Sequence, residues 1–432
     1  MDKQNNSTVT SEELRAAFTG ETKPEKKLGK EQGQERILVK KERSVQSAGG
    51  KKWLVMKIAG GVSFAGGLIC LLVALLGFNT EPASLNFPTI PSKTSEKADY
   101  SALTGEIVTN AELLNAPTYC VQMPNGTDGA RPQAGLTDAG VVFEAIAEAG
   151  ITRFAAIYQN PTAAIIGPVR SLRIYYLQWD TPFDCTIVHA GGSGDALSAV
   201  ANGYRNLDEN YTYMYRGTYG GRLWNNLFTT SASLKQFGVD QGYNSSDVKG
   251  FARLTPAESE QQRVDESVAE KLEITKATEK DTSAMETKVP TVALNLGGWA
   301  DFNVNYNYDS NSNTYARSYA SGGPHQVYNC GAEDLGQKNP EDACSLTQVA
   351  PSVVIAMIVQ ESRASDNYHE DITAIGSGEA DIFQNGIVIK GNWQKSSAAD
   401  QIKFTDANGE EIKLAPGQTF ITAVPNYGNV VY

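Results

Sequence analysis

The residues best suited to chemistry lie in the first half of the 432-residue chain, where two carboxylates, three arginines and a histidine occur together. Three guanidinium groups can hold an anionic ligand through paired hydrogen bonds. Two carboxylates also suit acid and base catalysis on a glycosidic bond, where the separation of the two groups matters. The candidate ligand-binding residues are Glu144, Glu148, Arg153, Arg170, Arg173, His189 and Ser193.

The same residues also fit a structural interpretation, a buried network of salt bridges. Residues 139–148 predict a helix, and Glu144 and Glu148 share one face of it because they lie four positions apart. Arg170 and Arg173 then pair with these carboxylates across the domain. The two interpretations differ in space: side chains that line an open cleft favour a ligand site, and buried, mutually paired side chains favour a scaffold.

The glycine-rich run that begins at His189 has three interpretations. In a nucleophile elbow, Gly-x-Ser-x-Gly, Ser193 would be the nucleophile, but Asp195 stands where the last glycine belongs. Free backbone N–H groups at a helix start would instead bind a carboxylate or phosphate. A plain junction between strand and helix, capped by Ser193 or Asp195, is the structural alternative.

Four of the five cysteines follow residue 100, and an even number suits disulfides in an oxidising compartment. Cys330 and Cys344 flank one polar loop, which favours a bridge between them and leaves Cys120 and Cys185 as its complement. Four reduced thiols are the alternative. No Cys-x-x-Cys pair or nearby pair of histidines occurs, so we expect no metal site.

An apolar segment divides the charge of the chain. Residues 1–57 carry thirteen Lys and Arg against eight Asp and Glu, a net charge of +5, and the residues after 78 carry 24 against 41, a net charge of −17. Residues 58–78 contain no charge and are long enough, at about 1.5 Å per residue, to cross a bilayer. The basic flank predicts a single-pass protein of the cell membrane, with its N-terminus cytoplasmic and its C-terminal domains extracellular. Small residues spaced four apart in this segment suit helix-mediated self-association.

The rest of the pattern predicts an α+β fold, in which a mixed α/β domain precedes a mostly antiparallel β domain. Residues 154–158 and 185–189 predict strands. Residues 306–317, Asn385-Gly386 and Asn408-Gly409 predict hairpins. The predicted parts are a disordered basic cytoplasmic tail (1–52), a transmembrane helix (53–78), an extracytoplasmic stalk (79–100), the α/β domain (101–255), a polar linker (256–288) and the β-rich domain (289–432).

Several short blocks follow one another over about residues 101–426: Ala130 to Leu136, Glu148 to Phe154, Gly167 to Arg173, His189 to Ser193, Asn226 to Thr230, Tyr306 to Arg317, Gly391 to Trp393 and Asp406 to Gly409. In this order they resemble the YerB-like family, bacterial proteins regarded as lipoproteins whose two-part domain has no known function. The family usually carries His-Asn where this chain has Asn225-Asn226, and often a lipoprotein signal where this chain has its apolar segment. The resemblance implies an envelope-facing module and adds Arg131 and Asn226 to the candidate ligand-binding residues.

Charge and motifs narrow the functional classes. The net charge of −17 argues against nucleic acid as a partner, because nucleic acid favours basic surfaces, and no phosphate-binding or dinucleotide motif occurs, so we expect no cofactor. Aromatic residues of the second half, Trp299 among them, suit sugar stacking, protein interfaces or plain packing. We expect a binding or regulatory module whose partner is a cell-wall glycan or an envelope protein such as a cell-wall enzyme. The alternative is a cell-wall hydrolase or transferase that uses the Glu/His/Arg cluster.

Overall fold

A computed structural model describes residues 98–218, 225–263, 287–331 and 335–432, and most of this part is β-sheet. The first half contains β1 (Asp99–Tyr100), β2 (Ile107–Val108), β3 (Thr118–Pro124), β4 (Val141–Glu148), β5 (Ile151–Gln159), β6 (Cys185–Val188), β7 (Asn206–Leu207), β8 (Met214–Arg216) and β9 (Leu227–Thr229). The second half contains β10 (Thr287–Lys288), β11 (Thr291–Asn295), β12 (Val304–Asp309), β13 (Thr314–Tyr319), β14 (Gln326–Asn329), β15 (Ser345–Gln348), β16 (Val353–Val359), β17 (Glu361–Arg363), β18 (Glu370–Ile372), β19 (Gly376–Gln384), β20 (Ile387–Lys395), β21 (Lys403–Thr405), β22 (Thr419–Pro425) and β23 (Asn429–Val431).

The helices are short. They are α1 (Ile174–Asp180), α2 (Gly194–Val200), α3 (Ser231–Gln241) and α4 (Pro340–Ala343), with single 3-10 turns at Ala111–Leu113, Leu136–Asp138 and Thr181–Phe183. Residues 256–263 are also helical, and they begin the segment predicted as a polar linker.

One mixed, 11-stranded sheet runs through both halves in the order β10-β20-β19-β16-β22-β4-β5-β3-β6-β7, with β21 beside β20. Its central strand, β22, is parallel to β16 on one side and to β4 on the other. Ile421 of β22 stands opposite both Ile355 of β16 and Phe143 of β4. Strands from the two halves of the chain are therefore direct neighbours.

Each face of this sheet is covered by a different layer. On one face, Trp179 of α1 stacks on Phe143 with ring centroids 5.4 Å apart, and their core cluster also includes Ile355 and Trp393 from the second half. On the other face, the four-stranded sheet β13-β12-β11-β23 packs Tyr306 against a cluster that contains Ile146, Val354 and Phe383. Burial of these apolar side chains from both halves holds the sheet together.

The helix predicted over residues 139–148 is wrong, because Val141–Glu148 forms strand β4. The strand is buried along seven of its eight residues, with an intermediate last residue. A strand covered on both faces loses the polar alternation that identifies an exposed strand, and its continuous apolar run then resembles a buried helix. The β-branched Val141, Val142 and Ile146 favour the strand.

The predicted hairpins and the other predicted strands are confirmed. Residues 154–158 lie in β5, and residues 185–188 form β6. β12 and β13 pair antiparallel, as do β19 and β20 around Asn385-Gly386. Asn385 and Gly386 have φ angles of 52° and 81°, the left-handed conformation that this type of turn requires. At Asn408-Gly409 the chain turns so that Thr405 and Glu411 form an antiparallel bridge.

The predicted fold class is wrong in two respects, the helical content of the first domain and the transmembrane helix. Sheet dominates both halves, and the four helices named above contain only seven, seven, eleven and four residues. Across the described ranges, no helix is both long and apolar enough to span a bilayer, so the transmembrane helix is not supported. The residues assigned to the cytoplasmic tail, to the transmembrane helix with its self-association, to nearly all of the stalk and to most of the linker lie outside the described residues.

The two predicted disulfides are confirmed. Cys120 of β3 is bonded to Cys185 at the start of β6, the parallel neighbour of β3 in the sheet. Cys330 is bonded to Cys344 at the base of the polar loop between β14 and β15. Both pairs are therefore cross-links within the folded region, and all four sulfur atoms are unavailable as thiols or metal ligands.

Candidate ligand-binding site

The two carboxylates of the candidate site lie on β4 but have different partners. The register of β4 against β5 shifts between Ile146 and Glu148, which marks a β-bulge. A bulge inserts one extra residue and changes the face that the following side chains point to. Glu144, before the bulge, reaches the second half of the chain, and Glu148, after the bulge, reaches the start of α1. The helix-based prediction that they share one face is wrong.

Glu144 forms a sealed ion pair with Arg317 of β13. Both side chains are 0% exposed, and Arg317 Nη2 donates to both carboxylate oxygens at 2.9 and 2.7 Å. Thr152 Oγ1 donates to the same carboxylate at 3.0 Å. On the far side of the guanidinium, Arg317 Nε donates to Tyr306 Oη at 3.1 Å. With its charge balanced and its oxygens occupied, this carboxylate is poorly placed to bind a ligand or transfer a proton.

His325 closes the other side of this pair. Its Nδ1 contacts Arg317 Nη1, its Nε2 lies 3.1 Å from Gln133 Oε1, and its ring is 0% exposed. Burial lowers the pKa of His325 well below the usual value, and the positive charge of Arg317 acts in the same direction. The imidazole is therefore neutral at physiological pH.

Glu148 lies between two arginines. Arg173 Nη2 donates to Glu148 Oε2 at 2.7 Å, and Arg153 Nη2 donates to Glu148 Oε1. Burial acts to raise the pKa of Glu148, but attraction from Arg153 and Arg173 outweighs it, so the pKa is lowered. The Glu148 side chain is 12% exposed. One carboxylate thus serves two guanidinium groups, which leaves the cluster with excess positive charge.

Arg170 is the third arginine of this cluster, and its side chain has no ion pair or hydrogen bond to any of the described residues. It is partly exposed, and its Nε atom is buried without a hydrogen-bond partner. Its backbone is fixed, since Arg170 N donates to Gln122 O and Ala190 N donates to Arg170 O. Burial lowers the pKa of Arg170, and the charge of Arg153 lowers it further. The carboxylates of Glu148 and Asp128 attract this guanidinium, but neither of them accepts a hydrogen bond from it, so it keeps donors for a further anion.

Arg131 lies apart from this cluster, among aromatic rings of the second half. Its guanidinium is 3.8 Å from the centre of the Tyr319 ring and 5.1 Å from that of Phe302. It also donates to Asn125 Oδ1 at 2.9 Å and to Asp301 O at 2.8 Å. These contacts join the two halves, and the side chain is engaged in stabilising their interface.

His189, Ser193 and Asn226 have local structural roles. His189 is 0% exposed, with Nδ1 2.8 Å from Gly191 O and Nε2 2.7 Å from Asn206 Oδ1, so both ring nitrogens help to hold the glycine-rich turn. Ser193 is the N-cap residue of α2, although its side chain forms no capping hydrogen bond. Asn226 Oδ1 accepts from Arg216 Nη1 at 3.1 Å. The strand-to-helix junction is the interpretation of this run that fits these contacts.

The structure therefore brings together four of the nine candidate residues, namely Glu148, Arg153, Arg170 and Arg173. Glu144 is occupied by Arg317, a residue that was not among the candidates although it ends the family-like block at Tyr306 to Arg317. Arg317 and His325 were missed because the first-half residues that they contact, Glu144 and Gln133, lie 173 and 192 residues away in the sequence. The hydrolase or transferase alternative needs Glu144 or Glu148 with His189, and these three have separate partners.

Comparison with known proteins agrees with this two-part architecture. The family described as "Protein of unknown function (DUF3048) N-terminal domain" matches residues 103–244, and its C-terminal domain matches residues 294–421. The chain is 27% identical over 313 residues to "Putative lipoprotein YerB" of Bacillus subtilis (strain 168), an alignment that covers 70% of this chain and 80% of that protein.

A crystal structure of the YerB protein from Bacillus subtilis has a similar fold. It matches with a TM-score of 0.58 and 22% sequence identity, over 77% of this chain and 100% of the solved chain. Both halves of the family pattern are present in order, as the sequence blocks indicated. The chain belongs to the YerB-like family of proteins of unknown function (DUF3048).

Proposed function

We propose that this chain is an extracytoplasmic binding module of the bacterial cell envelope, and that Arg170 binds a carboxylate of a cell-wall glycan. The observation that carries the proposal is the guanidinium of Arg170, which forms no ion pair or hydrogen bond with the described residues. It lies beside Arg153 and Arg173, which share the single carboxylate of Glu148. The name of the relative, a lipoprotein, supports a membrane-associated or extracellular location. The two disulfides support an oxidising compartment.

The charge of the cluster explains why a carboxylate fits. Arg153, Arg170 and Arg173 carry three positive charges, and two carboxylates oppose them: Glu148, which pairs with Arg153 and Arg173, and Asp128, which attracts Arg170. An incoming carboxylate restores part of the balance and supplies acceptors to Arg170 in a partly desolvated setting, where a charged hydrogen bond contributes about 1.5–3 kcal/mol. The surrounding net charge of −17 repels polyanions elsewhere on the surface, so an anion is favoured at this cluster.

The test is binding of soluble peptidoglycan fragments that carry peptide carboxylates, measured by calorimetry with the purified full-length chain. Arg170→Gln should weaken binding at least about tenfold, since it removes a charged hydrogen bond, and should leave the thermal unfolding midpoint unchanged. Arg263→Gln is the matched control, because it removes one positive charge from an exposed side chain paired with Glu260. Equal affinity of the Arg170→Gln and Arg263→Gln variants for the fragments would reject the proposal. It would also be rejected if the wild-type chain bound an envelope protein but none of the peptidoglycan fragments.

A further inference from the structure

A second concave site lies at the far end of β4, beyond Glu148. It is a cavity of about 400 Å³, within the range of small-molecule sites. Both halves of the chain contribute to its walls, which come from the turn after β4, the loop after β11, strands β17 and β18, and the segment after β22. Its lining residues are Ile146, Ala149, Gly150, Gly297, Gly298, Trp299, Ser362, Arg363, Glu370 and Tyr427.

Two large aromatic side chains of this cavity are exposed. Trp299 is 46% exposed and Tyr427 is 56% exposed, although most large aromatic side chains of the described core are buried. Tyr427 is held at both ends. Its ring lies against the backbone of Gly297, where an added Cβ would come within 2.5 Å of the ring, and its hydroxyl donates to Glu361 Oε1 at 2.7 Å. The cavity therefore presents at least one fixed aromatic surface to solvent.

The polar side of the cavity contains the carboxylate of Glu370, which, among the described residues, forms only a long ion pair with Arg363. The Glu370 side chain is only 7% exposed, and its nearest cation, Arg363 Nη2, lies 3.7 Å away, beyond hydrogen-bond distance. No other described residue donates a hydrogen bond to this carboxylate. Burial raises the pKa of Glu370, although Arg363 opposes the shift. The Glu370 carboxylate therefore keeps acceptor positions for the hydroxyl groups of a ligand.

We propose that this cavity binds a sugar ring of a glycan. A pyranose offers what this cavity can bind, an apolar C–H face to stack on Trp299, beside the fixed ring of Tyr427, and hydroxyl donors for Glu370. The half-exposed Arg363, which stands opposite Glu370 in the pair of strands β17 and β18, supplies donors for the ring or acetamido oxygens. Gly150 and Gly298 carry no side chain at this wall, which lets a flat ring approach the backbone closely.

The experiment uses N-acetylglucosamine trimer, an uncharged probe, with the purified full-length chain. Calorimetry should show binding in the millimolar range or tighter. Trp299→Ala should weaken it about tenfold, as expected for the loss of one aromatic stacking contact, and Glu370→Gln should weaken it by removing the charged acceptor. Tyr100→Ala is the matched control, since Tyr100 is 39% exposed and lies outside the cavity.

Three results would overturn the inference. They are an absence of binding by the folded wild-type chain at millimolar trimer, an unchanged affinity in the Trp299→Ala variant, and equal competition by a simple alkylammonium ion, which would identify a cation site at Glu370. Trp299 is exposed, so its removal should leave the unfolding transition intact, and circular dichroism checks this. Because the probe is uncharged, the Arg170→Gln variant should bind the trimer as the wild type does. If the wild-type chain does not bind the trimer, this inference fails, and the proposed anion site at Arg170 is still tested separately with the charged peptidoglycan fragments.

Discussion

Glu144 and Glu148 stand four residues apart on one strand, yet their surroundings are opposite in kind. Glu144 meets a single arginine in a fully closed pocket whose remaining polar atoms are bonded to Thr152, Tyr306 and His325. Glu148 meets two arginines at a partly open edge beside the unpaired Arg170. The pair of Glu144 and Arg317 therefore stabilises the contact between the two halves of the sheet. The cluster around Glu148 has excess positive charge that is available to a ligand.

The largest expected effect comes from opening the sealed pair. Arg317→Met leaves the Glu144 carboxylate buried without a cation and should lower the free energy of unfolding by about 3–5 kcal/mol. Urea denaturation followed by tryptophan fluorescence measures the change. The double variant with Glu144→Gln is the control, because it removes both charges and should recover more than half of the loss. A single variant as stable as the wild type would mean that the pair is solvated.

A smaller loss of stability is expected at the open cluster. Glu148→Gln should lower the free energy of unfolding by about 2 kcal/mol, because Arg153 and Arg173 lose charged hydrogen bonds but retain Ser171 O and Leu172 O as acceptors. The same variant should bind peptidoglycan fragments more tightly, since it raises the positive charge beside Arg170. Denaturation and calorimetry on one preparation test both. A loss of stability together with weaker binding would contradict the comparison.

The smallest effect concerns pH and distinguishes the two regions through His325. Its pKa is lowered in the folded chain, so the unfolded chain binds the extra proton first. Stability should therefore fall as pH drops below about 6.5, by at most about 1.4 kcal/mol per pH unit. His325→Gln should reduce this pH dependence of the free energy of unfolding between pH 6.5 and pH 5, by up to about 1.4 kcal/mol per pH unit. An equal slope in both proteins, measured by urea titration at each pH, would show that other groups cause it.

The sequence predicted local features well and contacts between distant residues poorly. The hairpin at Asn385-Gly386 follows from the conformational preference of two adjacent residues, and the Cys330–Cys344 bridge from their proximity along the chain. The helix predicted at 139–148 failed because burial on both faces removes the periodicity that distinguishes a strand. Its error carried over to the site, since a helix places Glu144 and Glu148 on one face and the bulged strand does not.

The residues of the candidate site were easier to predict than their pairing. The arginine-rich block at 167–173 supplied Arg170 and Arg173, whose charge and proximity are local facts. The pairing itself depends on sheet register and on long-range contacts. Glu148 pairs with Arg153 and Arg173. Glu144 pairs with Arg317, which is 173 residues away in the sequence. Periodicity within one segment contains no information of this kind.

The position of β22 has a consequence for biosynthesis. Because this strand lies between β16 and β4, the edge of β4 at residues 141–144 stays unpaired until residues 419–422 have been synthesised. A ribosome releases β22 long after β4, so until then the first half stays incomplete, with an unpaired strand edge open to aggregation. Contacts this distant in sequence also slow folding. Truncation before residue 419 should therefore disable the first half as well as the second.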